Sequence, residues 1–295
     1  MKLLTTAEVA EYLRLKERKI YDLVQQGEIP FARLTGKLIF PQEAIDLWVM
    51  QHLEGDQLNR QTPPPVYAGS SDPLLDWALR EANTGLAQLC HGSADGVQRL
   101  LQGQAQLCGI HIIDPASDQF NQPSHCGLGG LRDLVIIRWA KRQQGLIIAP
   151  GNPLNIKGLG CISTHSLQVV QRQHGAGAQT LLEHLLTQQG LPALPPPPLG
   201  QTALDEDAVA IEVASKRADC GLGIKAAAQR HDLDFMPLIE EPLDLAMRRR
   251  TFFEQPMQRL IALTADPARQ MGLHQRAQQM GGYDLSECGQ VIYNA

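Results

Sequence analysis

Three short stretches of this chain gather the residue types that hold a small anion. Gly69-Ser70-Ser71-Asp72 lies between an apolar run and a helical pattern. Gly92-Ser93-Ala94-Asp95-Gly96 repeats the arrangement, and Arg172-Gln173-His174-Gly175-Ala176-Gly177-Ala178 supplies a third glycine-rich turn. A strand-to-helix turn of this kind aims backbone N–H groups and the positive end of a helix dipole at one spot. Brought from distant parts of a chain, three such turns can converge on one pocket, where His174 could also touch the ligand. A second set points to nucleic acid: Lys16, Arg18, Lys19 and Tyr21 lie close together, with Arg33 and Lys37 in the β-patterned stretch that follows. Catalytic and metal chemistry lack comparable support. His91, His111, His125, His165 and His174 show no i, i+4 spacing and no paired acid, and no nucleophile stands beside a base. The expectation is a binding protein with no catalytic or metal-ligating residues and no covalent cofactor.

The elements that must position these residues can be read from periodicity. In the first 55 residues, Thr6 is a candidate N-cap for a helix over Ala7–Leu13, and a second helix is expected over Lys16–Gln25. Ile20, Leu23 and Val24 would form its buried face, and Gly27 ends it. Ile29–Leu34 and Leu38–Phe40, joined through Thr35-Gly36-Lys37, read as a hairpin, after which Pro41 is expected to open a third helix. Residues 56–66, ending in Pro63-Pro64-Pro65, read as a semi-rigid linker. Beyond it, short apolar runs alternate with helical patterns, which predicts a layered α/β domain over 67–295. Val66–Gly69, Leu107–Ile113, Leu134–Trp139, Gly145–Ala149, Leu167–Val170, Phe235–Leu238 and Leu243–Met247 are the expected strands. Helices are expected over Asp72–Leu89, Ala178–Gln189 and Asp207–Lys216, with two more to close the chain.

Composition narrows the partners. The chain has 295 residues, a formal net charge of −5, 43% hydrophobic and 19% charged residues, an ordinary soluble balance. A protein of this charge does not bind nucleic acid through bulk electrostatics, so any DNA contact must come from a local patch. The first 55 residues hold seven Lys and Arg against eight Asp and Glu, so one such head binds weakly and a homodimer is expected. No export signal and no run of about 18 apolar residues is visible, which leads to a cytoplasmic, membrane-free expectation. The six scattered cysteines are expected to be reduced.

Two resemblances sharpen this reading. Thr6-Ala7-Glu8-Val9-Ala10-Glu11-Tyr12-Leu13, Ile20 to Pro30 and the wing before Phe40-Pro41 resemble the excisionase/MerR-type winged helix-turn-helix over residues 3–50. That resemblance implies a second helix entering the major groove of double-stranded DNA, with Arg18 and Lys19 reading bases and Lys37 on the backbone. Residues 66–293 resemble a type 2 periplasmic-binding-protein-like domain, similar to molybdate- and tungstate-binding proteins. The carriers are Gly69–Leu75, Ala105–Pro115, Gly145–Pro153, Arg172–Gly177 and Arg217–Ile224. It implies two lobes closing on a ligand, lobe one over 67–149 and 241–295 and lobe two over 150–240, with crossovers near Ile148–Pro150 and Pro237–Pro242. It further implies oxyanion contacts from Ser70, Ser71, Ser93, Arg172 and the amides of Gly175, Ala176, Gly177 and Ala178, with molybdate or tungstate as ligand. Tungstate binders carry a Ser/Thr-rich version of the Arg172 loop, whereas Ala176 and Ala178 stand here. A molybdopterin-like or other anionic metabolite is the alternative ligand. The whole is then expected to be a multi-domain, one-component transcription regulator; an architectural DNA binder with a dimerisation domain is the other reading.

Overall fold

The computed structural model describes residues 2–34, 36–51, 62–197 and 202–295; Thr35 and most of the expected linker lie outside them. The chain divides into two compact units, Met1–Thr62 and Pro63–Ala295.

The first unit runs β1 (Leu3–Leu4), α1 (Thr6–Tyr12), α2 (Glu17–Gln25), β2 (Ala32–Leu34), β3 (Lys37–Pro41) and α3 (Gln42–Gln51). Thr5 rather than Thr6 caps α1: the Thr5 hydroxyl accepts from the Glu8 amide at 3.3 Å, and the Glu8 carboxylate accepts from the Thr5 amide at 2.8 Å. Of the two threonines, only Thr5 has a glutamate three residues on to complete a capping box. Pro41 closes β3 instead of opening α3, because β1 pairs with β3 with Leu3 opposite Pro41. A two-residue strand leaves no periodicity to read. The hairpin pairs Arg33 with Leu38 and Leu34 with Lys37. Val9, Ala10, Ile20, Leu23, Val24, Ile29, Phe40 and Ile45 form the core, while Leu47 is exposed.

The second unit begins with β4 (Val66–Gly69), α4 (Pro73–Glu81), β5 (Ala87–Leu89), α5 (Ser93–Leu101) and β6 (Leu107–Ile110). A small pair, β7 (Ile113–Asp114) and β8 (Gln119–Phe120), precedes the 15-residue β9 (Leu134–Ile148). Next come α6 (Gly160–Thr164), β10 (Val169–Arg172), α7 (Gly177–Gln188), β11 (Thr202–Ala203), α8 (Glu206–Ala214), β12 (Cys220–Ile224) and α9 (Lys225–Arg230). The second long strand, β13 (Asp234–Arg248), leads to α10 (Arg249–Phe252), α11 (Gln255–Ala265), α12 (Pro267–Met280), β14 (Tyr283–Asp284) and β15 (Val291–Asn294). The strands join in the order β11-β10-β12-β9-β13-β6-β4-β5, with β14 and β15 also pairing with β9.

Three expectations are corrected here. The helix expected over Asp72–Leu89 stops at Glu81, because Asn83 and Gly85 take left-handed backbone conformations (φ +48° and +72°), and residues 87–89 become β5. The four strands expected at 134–139, 145–149, 235–238 and 243–247 are two continuous ones. Residues 141–144 are polar and looked like a turn, yet Arg142 and Gln144 are buried within β9. These two strands carry the chain between the two lobes. Trp139, Ala140, Leu243 and Leu245 belong to one core, Leu146, Ile148, Met236 and Ile239 to another. The passage therefore falls at residues 141–145 of β9, where the apolar cores change over. The expected position near Ile148–Pro150 is too late, since Ile148 still pairs with Cys220 and Asp234. On β13 the register shifts between Pro237 and Ile239 and between Leu243 and Asp244, bracketing the corresponding passage.

Candidate functional site

In the first unit α2 buries Ile20, Leu23 and Val24, and the polar residues between them are pushed outward. Lys16 directly precedes α2, Arg18 and Lys19 are exposed in its first turn, and Tyr21 is 47% exposed. Arg33 on β2 and Lys37 at the start of β3 are exposed on the hairpin. All six residues singled out in the sequence are thus available to a partner.

In the second unit the turn before α5 meets the turn before α7. Gly92 stands at φ +100°, and a Cβ placed on it would lie 3.3 Å from the Gly175 carbonyl oxygen. The Ala94 amide donates to that same oxygen at 3.3 Å. A Cβ on Gly177 would lie 2.3 Å from the His111 carbonyl, so only glycine allows this approach. Neither α5 nor α7 has a side-chain cap; the Ala94 amide of α5 is taken by the Gly175 carbonyl, so it is the helix dipoles and the remaining first-turn amides that carry the polarity attracting an anion. Ser93 is fully buried and its hydroxyl accepts from the His111 amide at 3.2 Å. Ser70 is buried beside them: the Gly92 amide donates to the Gly69 carbonyl, and the Ser70 amide donates to Gly109 at 3.0 Å. Ser71 is half-buried, and Ala176, Gly177 and Ala178 are buried at the start of α7. Ser70, Ser93 and the Gly175–Ala178 loop are therefore neighbours.

Arg172 and His174 do not join them in the way expected. The Arg172 guanidinium donates to Glu206 at 3.0 Å and to the carbonyls of Ala203 and Leu204, each at 3.1 Å. Glu206 is buried and needs a cation, and Arg172 supplies it. His174 is exposed.

A different guanidinium occupies the centre. Arg142, on β9 where the chain passes between the lobes, is 1% exposed and bonds Asp72 at 3.1 Å through Nη1 and Glu241 through Nη2. Asp72 caps α4, accepting from the Leu75 amide at 2.8 Å and from the Tyr283 hydroxyl at 3.0 Å. His111 Nδ1 lies 3.0 Å from Glu241, and the Gln144 amide donates to Glu241 at 2.9 Å. Burial pushes the Glu241 carboxyl up, but His111 and Arg142 beside it prevail and hold it down at about 2. Burial likewise disfavours charge on Arg142, and Glu241 and Asp72 outweigh it, so this group stays cationic. Arg142 Nε and Gln144 Oε1 are buried with no hydrogen-bond partner among the described residues. Arg142, Gln144, Glu241 and Tyr283 were not singled out in the sequence, and Asp72 only as the end of the Gly69–Asp72 turn. The one available signal was the i, i+2 spacing of Arg142 and Gln144, which shares a face only if the strand is known to continue.

A small winged head followed by a two-lobed α/β domain, with helix N-termini meeting between the lobes, defines a binding protein of composite type. Residues 3–52 match a helix-turn-helix domain, and residues 77–265 match the PBP superfamily domain, the family to which the chain belongs. The uncharacterized protein YvgK of Bacillus subtilis (strain 168) is 23% identical, with 98% of this chain and 97% of that protein aligned. Among solved structures, the tungstate ABC transporter from Geobacter sulfurreducens is similar at a TM-score of 0.51 and 11% identity, covering 71% of this chain and 97% of that one. PhnD1 from Prochlorococcus marinus in complex with methylphosphonate is similar at a TM-score of 0.50 and 12% identity, covering 76% and 93%. At these identities the likeness establishes the fold. The chain thus joins a DNA-binding domain type to a ligand-binding one, and no helix among the described residues is long and apolar enough to cross a membrane.

Proposed function

We propose that this protein is a one-component transcription regulator that senses a small oxyanion between its lobes. The observation that carries the reading is the meeting of two uncapped helix N-termini, α5 and α7, over Ser93 and His111. Amides at such termini favour an anion and leave it sequence-independent of any one side chain. In its closed form the contact between Gly92 and Gly175 suits a small ligand better than a molybdopterin-sized one. Molybdate and tungstate are the first oxyanions to test, and the tungstate and methylphosphonate named for the two fold neighbours are consistent with the class. The guanidinium beside the site is Arg142, in place of Arg172.

The head would read DNA through Arg18 and Lys19, with Lys16, Tyr21, Arg33 and Lys37 holding the backbone. Seven basic against eight acidic residues in the first 55 make a single head a weak binder, so the active form is a homodimer. The regulator would act in the cytoplasm, where DNA is met. Lobe closure would then change how the two heads are presented. Selection of genomic fragments with the full-length chain, followed by footprinting with and without each oxyanion, tests this. An operator affinity that shifts with one oxyanion supports sensing; a footprint and affinity indifferent to all of them returns the protein to an architectural DNA-binding role.

A further inference from the structure

Helices α4, α11 and α12 bury Leu75, Leu260 and Leu273 in one core, and between them lies a hollow of about 550 Å³. Trp77 and Leu263 give it apolar walls, and Ala268 and Gly272, four residues apart on α12, keep one side bare. A second hollow of about 270 Å³ adjoins it at Asn83 and is lined by Leu79 and Leu86. Glu81, Asn83, Arg259, Ala268 and Arg269 are all exposed, so the recess is open to a partner. Beside it stands Met271, 61% exposed, three residues after Ala268 and one before Gly272, an apolar knob at the rim. A large apolar side chain next to an apolar hollow is the kind of exposed surface that marks a contact with another protein.

The charges around the recess say which protein. Arg80 is engaged by Asp76, and Arg259 donates to the Asn83 carbonyl at 2.7 Å. Glu81 on α4 and Arg269 on α12 are not engaged: among the described residues neither side chain has a hydrogen bond or an ion pair. An acid and a base left free on different walls suit neither a small anion, which Glu81 repels, nor a small cation, which Arg269 repels. They suit a surface that carries the same two charges in reverse order, and a second copy of this face is such a surface. In a two-fold contact each face meets its own copy, so Glu81 of one protomer meets Arg269 of the other, twice over. The same symmetry lets each Met271 enter the other protomer's hollow against Trp77, where a thioether on an aromatic ring is favourable beyond its area. We infer that the α4–α11–α12 face is the surface through which two second units dimerise, with Met271 as the knob and Glu81 with Arg269 as the reciprocal ion pair. This rests on the homodimer proposed above and assigns it a surface.

The test is sedimentation of the full-length protein over a concentration series at low ionic strength. The parent should sediment as a dimer. Met271→Asp should raise the dimer dissociation constant by about tenfold or more, since it sets a charge in the hollow. Glu81→Arg alone and Arg269→Glu alone each set like charges face to face at both contacts, and each should weaken the dimer by about tenfold or more. An equimolar mixture of the Glu81→Arg and Arg269→Glu proteins restores opposite charges at both contacts, so the mixture should dimerise about as tightly as the parent. A change confined to one chain has no reason to be repaired by mixing. Should Met271→Asp fail to fold, the two charge variants and their mixture decide, because both side chains are exposed. A parent that stays monomeric overturns this inference and the homodimer together, and leaves the recess to another protein. A dimer indifferent to all three substitutions keeps the homodimer but places its contact elsewhere. A mixture no tighter than its components means that Glu81 and Arg269 do not meet across the contact, and the inference fails.

Discussion

Arg142 shows how much one residue can hold at this junction. Its guanidinium is the cation shared by Asp72 at the start of α4 and Glu241 on β13, all three almost fully buried. Removing one partner of a buried ionic group leaves the others uncompensated in a medium of low polarity. Arg142→Met should therefore destabilise the second unit by about 3–5 kcal/mol, read from urea unfolding. Glu241 gives the network a pH signature. Its carboxyl has an ordinary value of 4.5 and is held at about 2 in the folded chain, so its contribution is fully present above pH 4.5. As pH falls from there through about 2 that contribution is lost. The urea midpoint of Glu241→Gln should lie below the parent's at neutral pH, and the gap should narrow over that acid range. A gap that is constant or widens on acidification would show that Glu241 is not held ionised by its neighbours. None of this was legible from residue types, because Lys141 to Gln144 between two apolar runs has the composition of a turn. The three glycine-bearing turns were legible, since their residues are contiguous, whereas partnership across 70 or 99 positions leaves no local trace.

At the scale of elements, length decided what could be read. α2 and α7 have several turns of periodicity and appear within a residue or so of their expected bounds. β1, β5 and β11 have two or three residues each and were not anticipated. Local chemistry still discriminates where periodicity cannot: Thr5→Ala removes the capping box of α1 and should cost the head about 1 kcal/mol, while Thr6→Ala should be nearly neutral. Thermal or urea unfolding of the head tests the pair, and equal losses would mean the cap is not the source. In α12, Gly272 sits mid-helix with nothing within 4 Å of where a Cβ would stand. It borders a cavity of about 550 Å³ lined also by Trp77, Arg259 and Leu263, so an added methyl meets no obstacle. Gly272→Ala should stabilise by up to about 1 kcal/mol, raising Tm by about 2–4 °C for a unit of this size. A fall in Tm would mean that the glycine is needed for a contact the isolated chain does not make.

On the scale of the whole molecule, the division into a head and a larger domain was readable because three consecutive prolines separate two different periodicities. The charge of the head was readable too, and it sets the last prediction. With acidic and basic residues nearly balanced, attraction to DNA must be concentrated at α2 and the hairpin, where Arg18 and Lys37 are both exposed. Their losses should nonetheless look different. A side chain that reads a base edge contributes sequence preference, so Arg18→Ala should cost about 1–3 kcal/mol on the operator and relax the preference at one base position. A side chain on phosphate displaces a counterion, so Lys37→Ala should weaken all sequences alike and reduce the salt dependence, the slope of log affinity against log salt, by about one. In a homodimer each change is present twice, which doubles the slope difference relative to a single head; sedimentation of the same samples fixes which case applies. Anisotropy titrations over a salt series, on the operator and on unrelated DNA, separate the two roles. If Arg18→Ala instead weakens both DNAs equally, α2 tracks the backbone, and the element that reads bases lies elsewhere in the head.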